Sequence, residues 1–233
     1  MSTTDGARVA VVTGGSGAIG RAIVTSLAAS GHRTVSLDRS GDIAVDLSSE
    51  ESTRAAAQAV LDREGRCDVL VHCAGAFDQA TLADVDLRTW RHVQSVNVES
   101  VLWMSQVFAP GMAERGFGRI VLITSDTVWS PPDPVLLPYV TSKASQIGLM
   151  RVMARTLGPS GVSVSAVAPG LTDTPGARTV NTEEQFDAVV ARQALARRLV
   201  PEDTAAAVDF LASDGGAAMT GQVLCVDGGA VMR

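Results

Sequence analysis

Short, β-branched apolar runs alternate with longer amphipathic ones along this chain, and that alternation most limits how it can fold. Residues 9–12, 34–37, 69–72, 120–123, 162–167 and 223–226 are brief and bounded by Gly, Asp or Ser, as buried strands are. Residues 19–30, 51–64, 87–115, 139–157 and 201–213 read as helices. Pro201 suits a first helical turn and Asp214-Gly215-Gly216 a stop. This order predicts an α/β fold: one doubly wound parallel sheet of about seven strands with helices on both faces. One span strains the pattern. Residues 38–46 are too few for a strand–helix–strand crossover, which takes about ten or more. Residues 43–46 therefore read as a short edge strand reached by a tight loop with no covering helix. The 233 residues, 46% of them hydrophobic, fit one domain over 1–233, with no repeat or linker.

Composition excludes several classes of function. Net charge is -6 and pI is near 5.0, with no basic cluster, which argues against nucleic acid as a partner. The cysteines, Cys67, Cys73 and Cys225, are odd in number and lack metal-ligand spacing, so reduced thiols and no metal are expected. No run approaches 18 apolar residues, so no membrane span is expected. Residues 1–8 are polar and lack the basic-then-apolar order of a leader, which points to a cytoplasmic protein.

The first strand runs into Thr13-Gly14-Gly15-Ser16-Gly17-Ala18-Ile19-Gly20 and then a helix. Glycines there let backbone approach a pyrophosphate, and the helix N-terminus offers unpaired N–H groups and a positive dipole. Gly15-x-Gly17-x-x-Gly20 matches the dinucleotide fingerprint in the setting it requires. Eighteen residues after Gly20, Asp38 closes the second strand. A carboxylate there accepts from a ribose 2′-hydroxyl and repels a 2′-phosphate, which favours NAD. Arg39 beside it leaves NADP open, because a guanidinium can pair with that phosphate. Two loops, about residues 126–138 and 172–196, follow strands and so fall at the carboxyl edge of the sheet, where ligands bind in open α/β folds.

Tyr139, the only tyrosine, stands four residues before Lys143 in helical sequence. That spacing puts both on one helical face. A free phenol has a pKa of about 10, so proton exchange near pH 7 needs a shift of roughly three units, or about 4 kcal/mol. A neighbouring cation lowers it. Alone, such a pair reads first as a surface contact; the rest of the chain reverses that.

With the glycine turn, Asn97, Ser125, Tyr139 and Lys143 in order, the chain resembles the short-chain dehydrogenase/reductase family from residue 9 to residue 229. Thr13, Gly14 and Gly20 match that family's T-G-x-x-x-G-x-G turn, while Ala18 replaces its middle glycine. The family's N-N-A-G appears as His72-Cys73-Ala74-Gly75, so the side-chain hydrogen bonds of both asparagines must be made otherwise; His72 reads as structural. Ser125 resembles the catalytic serine. Asp126 is its rival, because it stands at the family's usual thirteen-residue gap to the tyrosine, whereas Ser125 stands at fourteen. The ungapped run 120–125 favours Ser125 and puts the extra residue in the Pro-rich loop. Asn97 resembles the helix asparagine that holds a backbone kink and a water leading to the lysine. Pro169, Gly170, Leu171, Thr172 and Thr174 resemble the segment that meets the nicotinamide amide and the phosphates. Asp46 with Leu47 resembles the adenine contact. By resemblance, Gly14, Ser16, Gly17, Ala18, Ile19, Gly20, Asp38, Arg39, Cys73, Ala74, Gly75, Tyr139 and Lys143 complete the cofactor set.

The resemblance implies hydride transfer between a secondary alcohol or ketone and NAD or NADP. Tyr139 is then the general acid and base, Lys143 lowers its pKa and binds ribose, Ser125 holds the substrate oxygen, and Asn97 supports the proton path. Trp129, Val135, Leu136, Leu137, Val180 and Phe186 read as substrate walls, which suits an uncharged and even aromatic substrate. Asp126 and Asp133 offer the alternative of a polar contact. A cofactor-binding sensor without turnover is the competing reading. The helices 87–115 and 139–157 carry extra apolar faces, which by resemblance implies a homotetramer or homodimer.

Overall fold

The structure is a computed structural model that describes residues 6–232. The polar opening read as carrying no leader falls mostly on residues 1–5, outside the described residues. The strands are β1 (Val9–Thr13), β2 (Arg33–Asp38), β3 (Ile43–Ala44), β4 (Val69–His72), β5 (Gly118–Ile123), β6 (Val162–Pro169) and β7 (Val223–Val226). They form one sheet in the order β3-β2-β1-β4-β5-β6-β7, every neighbouring pair parallel. Every residue of β1, β4, β5 and β6 is buried. Coverage on both faces is why β1 and β4 read as nearly unbroken apolar runs rather than alternating ones.

The helices are α1 (Ala18–Ala29), α2 (Glu50–Glu64), α3 (Leu87–Gln94), α4 (Ser100–Glu114), α5 (Leu137–Leu157), α6 (Pro175–Arg178), α7 (Glu183–Val190) and α8 (Pro201–Ala212). Ile23 and Leu27 of α1 and Val208 and Leu211 of α8 pack with Val12 and Val71 on one face. Val60 of α2, Met104 and Phe108 of α4 and Met150 of α5 pack with Leu70 and Ile120 on the other. Local signals set the ends. Ser49 caps α2 by accepting from the Ser52 N–H, Glu50 and Glu51 stand at its positive end, and Gly65 closes it at φ 72°.

Two expectations change in detail. The helix read over 87–115 is wound differently in the middle: Ser95–Glu99 form one π-helical turn, with the Ser100 N–H reaching back to the Ser95 carbonyl. Apolar periodicity does not report a single wide turn, which often marks functional sites. The edge strand is two residues rather than four. Ile43–Ala44 pair with Leu37 and Asp38, and the Asp42 carboxylate accepts from the Ser36 N–H at 2.8 Å to hold the loop without a helix.

The strand order reverses between β1 and β4, so their carboxyl ends part and open a crevice. Among the described residues, no helix is long and apolar enough to cross a membrane.

Candidate active site

The turn after β1 is built from what glycine permits. Gly14 has φ 68°, and a Cβ there would lie 2.8 Å from the Ala74 Cα. A Cβ on Gly20 would lie 2.1 Å from the Gly14 carbonyl oxygen. No side chain caps the N-terminus of α1, and no acidic residue stands in its first turn. Its N–H groups and positive end therefore face the crevice, and the pyrophosphate of a dinucleotide fits there. Ala18 lines the crevice at this helix start.

The crevice is a cleft of about 1160 Å³. That exceeds an ordinary small-ligand pocket of roughly 300–1,000 Å³ and leaves room for a dinucleotide and a small substrate together. Gly14, Gly17, Ile19, Gly20, Asp38, Arg39, Asp46, Leu47, Cys73, Ala74 and Gly75 line one part of it. Ser16 does not. Its N–H donates to the Asp38 carboxylate at 3.0 Å, tying the turn to β2. The other Asp38 oxygen accepts from the Arg39 N–H at 2.7 Å. Asp46 accepts from the Ser48 hydroxyl and N–H, and these bonds hold its carboxyl below the usual range. Pro169, Gly170, Leu171, Thr172 and Thr174 line the opposite wall. Thr172 donates to the Gly170 carbonyl and Thr174 caps α6, so both hydroxyls already hold the loop in shape.

The missing asparagines are replaced. The Thr13 hydroxyl oxygen accepts from the N–H groups of Cys73 and Ala74, both at 3.1 Å. His72 is fully buried, its Nε2 2.7 Å from the Ser100 hydroxyl. Burial, aided by the Lys143 charge, pushes its pKa down to about 3, so it is neutral at pH 7 and takes no part in proton exchange. Burial likewise pushes the Cys73 thiol up to about 12, which leaves it inert.

Ser125, Asp126, Leu136, Tyr139 and Lys143 meet at the deep end. The Ser125 hydroxyl acts on the Tyr139 phenol to favour its ionised form, and the Tyr139 ring lies edge-on to Phe77 at 4.7 Å. The Lys143 ammonium is buried, donates to the Ile123 carbonyl at 2.7 Å and stands 5.5 Å from the Tyr139 ring centre. Here the electrostatic expectation changes sign. Burial pushes the phenol up to about 12, and the Ser125 hydrogen bond offsets only part of that. Burial also pushes Lys143 down to about 8. One amine on the same helix face does not outweigh the loss of water.

Asn97 stands behind the cleft, fully buried in the π-turn. Its side chain accepts from the Ala76 N–H at 2.7 Å and donates to the Ala76 carbonyl at 3.0 Å and the Ser142 hydroxyl at 2.8 Å. Its main-chain carbonyl accepts from Gln146 Nε2 at 2.6 Å.

The substrate side departs most from expectation. Trp129 packs against the hydrophobic core and does not line the cleft. Phe186 is 2% exposed, with the guanidinium groups of Arg178 and Arg198 at 5.8 and 5.0 Å from its ring centre. Val135, Leu137 and Val180 do not line the cleft either; Asp133 accepts from the Val135 N–H in an exposed turn. The lining instead includes Phe77, Thr127, Ser130, Asn181, Gln185 and Arg192. Asn181, Gln185, Ala188 and Arg192 are spaced by four, three and four, which is one helical face. That spacing was readable in the sequence. Phe186 lies off that face and is buried against the protein, while Gln185, Ala188 and Val189 of the short helix α7 line the cleft.

Asp126 lines the cleft beside Ser125, whose hydroxyl lies 3.5 Å from its carboxylate. Burial, and then the Asp227 charge, push its carboxyl up to about 6 against the pull of Arg192.

A family model described as enoyl-(acyl carrier protein) reductase matches residues 3–231. A protein of Rhizobium meliloti named "Probable galactose dehydrogenase GalD" is 35% identical over 95% of this chain and 94% of its own length. D-xylose 1-dehydrogenase of Caulobacter vibrioides is 35% identical over 94% of each chain. The crystal structure of a blue fluorescent protein from a metagenomic library in complex with NADPH superposes with a TM-score of 0.88, at 29% identity over 97% of this chain and 98% of that one. With sheet order, glycine turn and full-length matches in agreement, this chain belongs to the short-chain dehydrogenase/reductase family of NAD(P)-dependent oxidoreductases.

Proposed function

We propose that this protein interconverts a secondary alcohol and a ketone with NAD(H), and that its substrate is uncharged and carries hydroxyl groups beside the reacting carbon. The observation that carries the reading is the meeting of Ser125, Tyr139 and Lys143 in one cleft with an uncapped helix N-terminus. Bound there, the nicotinamide exchanges hydride with the substrate carbon and, when oxidised, brings the positive charge that favours the phenolate.

Removing hydride from an alcohol carbon requires loss of the hydroxyl proton. Tyr139 takes that proton in oxidation and returns it in reduction. Its raised pKa holds the phenol protonated before cofactor binds, poised as an acid. Ser125 shares its hydroxyl with Tyr139 and Thr127 and so holds the substrate oxygen beside the phenol. Lys143, charged while its ammonium donates to the Ile123 carbonyl, lies on the same helix face and stabilises the phenolate as it forms. Asp38 at the end of β2 favours a ribose hydroxyl over a phosphate and so NAD over NADP.

The substrate class follows from the lining. Asp126, Thr127, Ser130, Asn181, Gln185 and Arg192 supply donors and acceptors, whereas Trp129 and Phe186, which motivated an aromatic substrate, pack elsewhere. The two curated relatives are named for oxidation of sugars, which agrees. The 126–138 and 172–196 segments form the substrate side of a single domain.

The test is spectrophotometric. Aldoses, polyols and simple ketones are assayed with NAD(H) and NADP(H), in wild type and Tyr139→Phe. Turnover on hydroxylated substrates is expected, with a loss of about 10²–10⁴-fold in the variant and cofactor binding retained. Wild-type rates in Tyr139→Phe would refute the acid–base role. Cofactor binding with no turnover on any substrate would favour a sensor.

A further inference from the structure

Gln146 is fully buried on α5, one turn after Lys143 and two after Tyr139, on the same side of the helix. Its Nε2 donates to the Asn97 main-chain carbonyl at 2.6 Å. Its Oε1 is buried and finds no protein partner. A partnerless buried amide oxygen costs stability, and an apolar side chain of similar size would fill the place without that cost. Departures from local rules of this kind concentrate at functional sites.

The cost falls at a place with a use. The π-turn departs from the α-helical ladder, and the Asn97 carbonyl within it accepts from the Gln146 amide. The side chain of the same Asn97 is fixed at three points: both backbone groups of Ala76 and the Ser142 hydroxyl. Ala76 lines the cleft beside Gly75. A Cβ on Gly75 would lie 3.6 Å from both the Asn97 side-chain oxygen and the Lys143 ammonium. One connected path therefore runs from Gln146 through Asn97 to the cleft wall, and it begins and ends beside Lys143.

Resting on the oxidoreductase reading above, we propose that Gln146 is a positioning residue for proton transfer: its amide fastens the Asn97 carbonyl to α5 and so sets Lys143 and the 74–77 segment in register with Tyr139. In this chain the Asn97 carbonyl is bonded to the Gln146 side chain.

The experiment compares wild type with Gln146→Leu and Gln146→Glu, using the best substrate found and the cofactor it prefers. Gln146→Leu removes the donor and the partnerless oxygen together. Expected are a kcat about tenfold lower, equivalent to 1.36 kcal/mol, a cofactor Kd by fluorescence titration within twofold, a Tm close to wild type, and a displaced pH limit of kcat. Gln146→Glu keeps the shape but donates only while its carboxyl is protonated. Its kcat is expected to approach wild type at low pH and to fall as the carboxyl ionises. Wild-type kcat and pH profile in Gln146→Leu would overturn the proposal. So would a loss of activity that follows a loss of folded protein in both variants. Failure of the oxidoreductase reading is seen separately, as absence of turnover in wild type or its retention in Tyr139→Phe.

Discussion

The two ends of the cleft are made in different ways. The cofactor end is backbone: Gly14, Gly75 and Gly170 lie just beyond the ends of β1, β4 and β6, and Gly20 lies in the first turn of α1. The substrate end is side chain. α6 has four residues and α7 has eight, held by Arg178 with Asp173 and Glu183, by Arg198 with Glu183 and Asp187, and by the ring of Phe186. Exposed ion pairs add little stability and are screened by salt. One end is therefore set by close packing, and the other by contacts that can be exchanged without disturbing the sheet. A scaffold of this kind keeps its cofactor while its substrate changes.

The largest effect that probes this contrast is expected at the cofactor end. Gly20→Ala puts a methyl 2.1 Å from the Gly14 carbonyl oxygen, where backbone must move. A loss of about 1–3 kcal/mol or more in stability is expected, with a visibly lower Tm and cofactor affinity weakened at least severalfold. Thermal melts and fluorescence titration measure both; a variant that melts and binds like wild type would break the claim that packing sets this end.

Asp38→Ala should be intermediate. It leaves the fold and removes the carboxylate that closes β2. A hydrogen bond to a charged group contributes about 1.5–3 kcal/mol, so the ratio of kcat/KM with NAD to that with NADP should fall by roughly ten- to a hundredfold. An unchanged ratio would move the preference to Arg39.

The smallest effect belongs to the substrate end. Folding lifts the Asp126 carboxyl from 3.8 to about 6, chiefly by burial. A raised pKa means that the folded state holds the proton more tightly. The stability linked to it is full below 3.8 and is lost as pH rises through about 6. Asp126→Asn should therefore melt higher than wild type above pH 6, lose the advantage in acid, and lower kcat/KM for a hydroxylated substrate only a few-fold. Equal melting curves at every pH would sharpen the contrast by showing that this carboxyl is less enclosed than its neighbours.

Much of the first end was legible along the chain, because it depends on short-range patterns. The glycine spacing, the Asp38 position and the Tyr139–Lys143 interval are each local, and the structure places all of them at the cleft. The second end misled for a physical reason. Hydropathy marks what packs in the protein: Phe186 is buried and Trp129 is partly buried against the core, and neither faces the cleft. The residues of α7 that line the cleft are Gln185, Ala188 and Val189, so the aromatic ring of Phe186 marked the side packed on the protein and not the side facing the cleft. For the phenol, a spacing of four shows that an amine is near, but not how much water both groups have lost.

The strand–helix alternation, the phosphate turn and the shared helix face of Tyr139 and Lys143 could be determined from sequence alone, since each follows from periodicity within a few residues or from what glycine alone allows. The π-turn at Asn97, the anchoring of its carbonyl by Gln146 and the burial of Phe186 away from the cleft were decided only in three dimensions. Each depends on which groups from distant segments meet away from water, and no spacing along the chain carries that information.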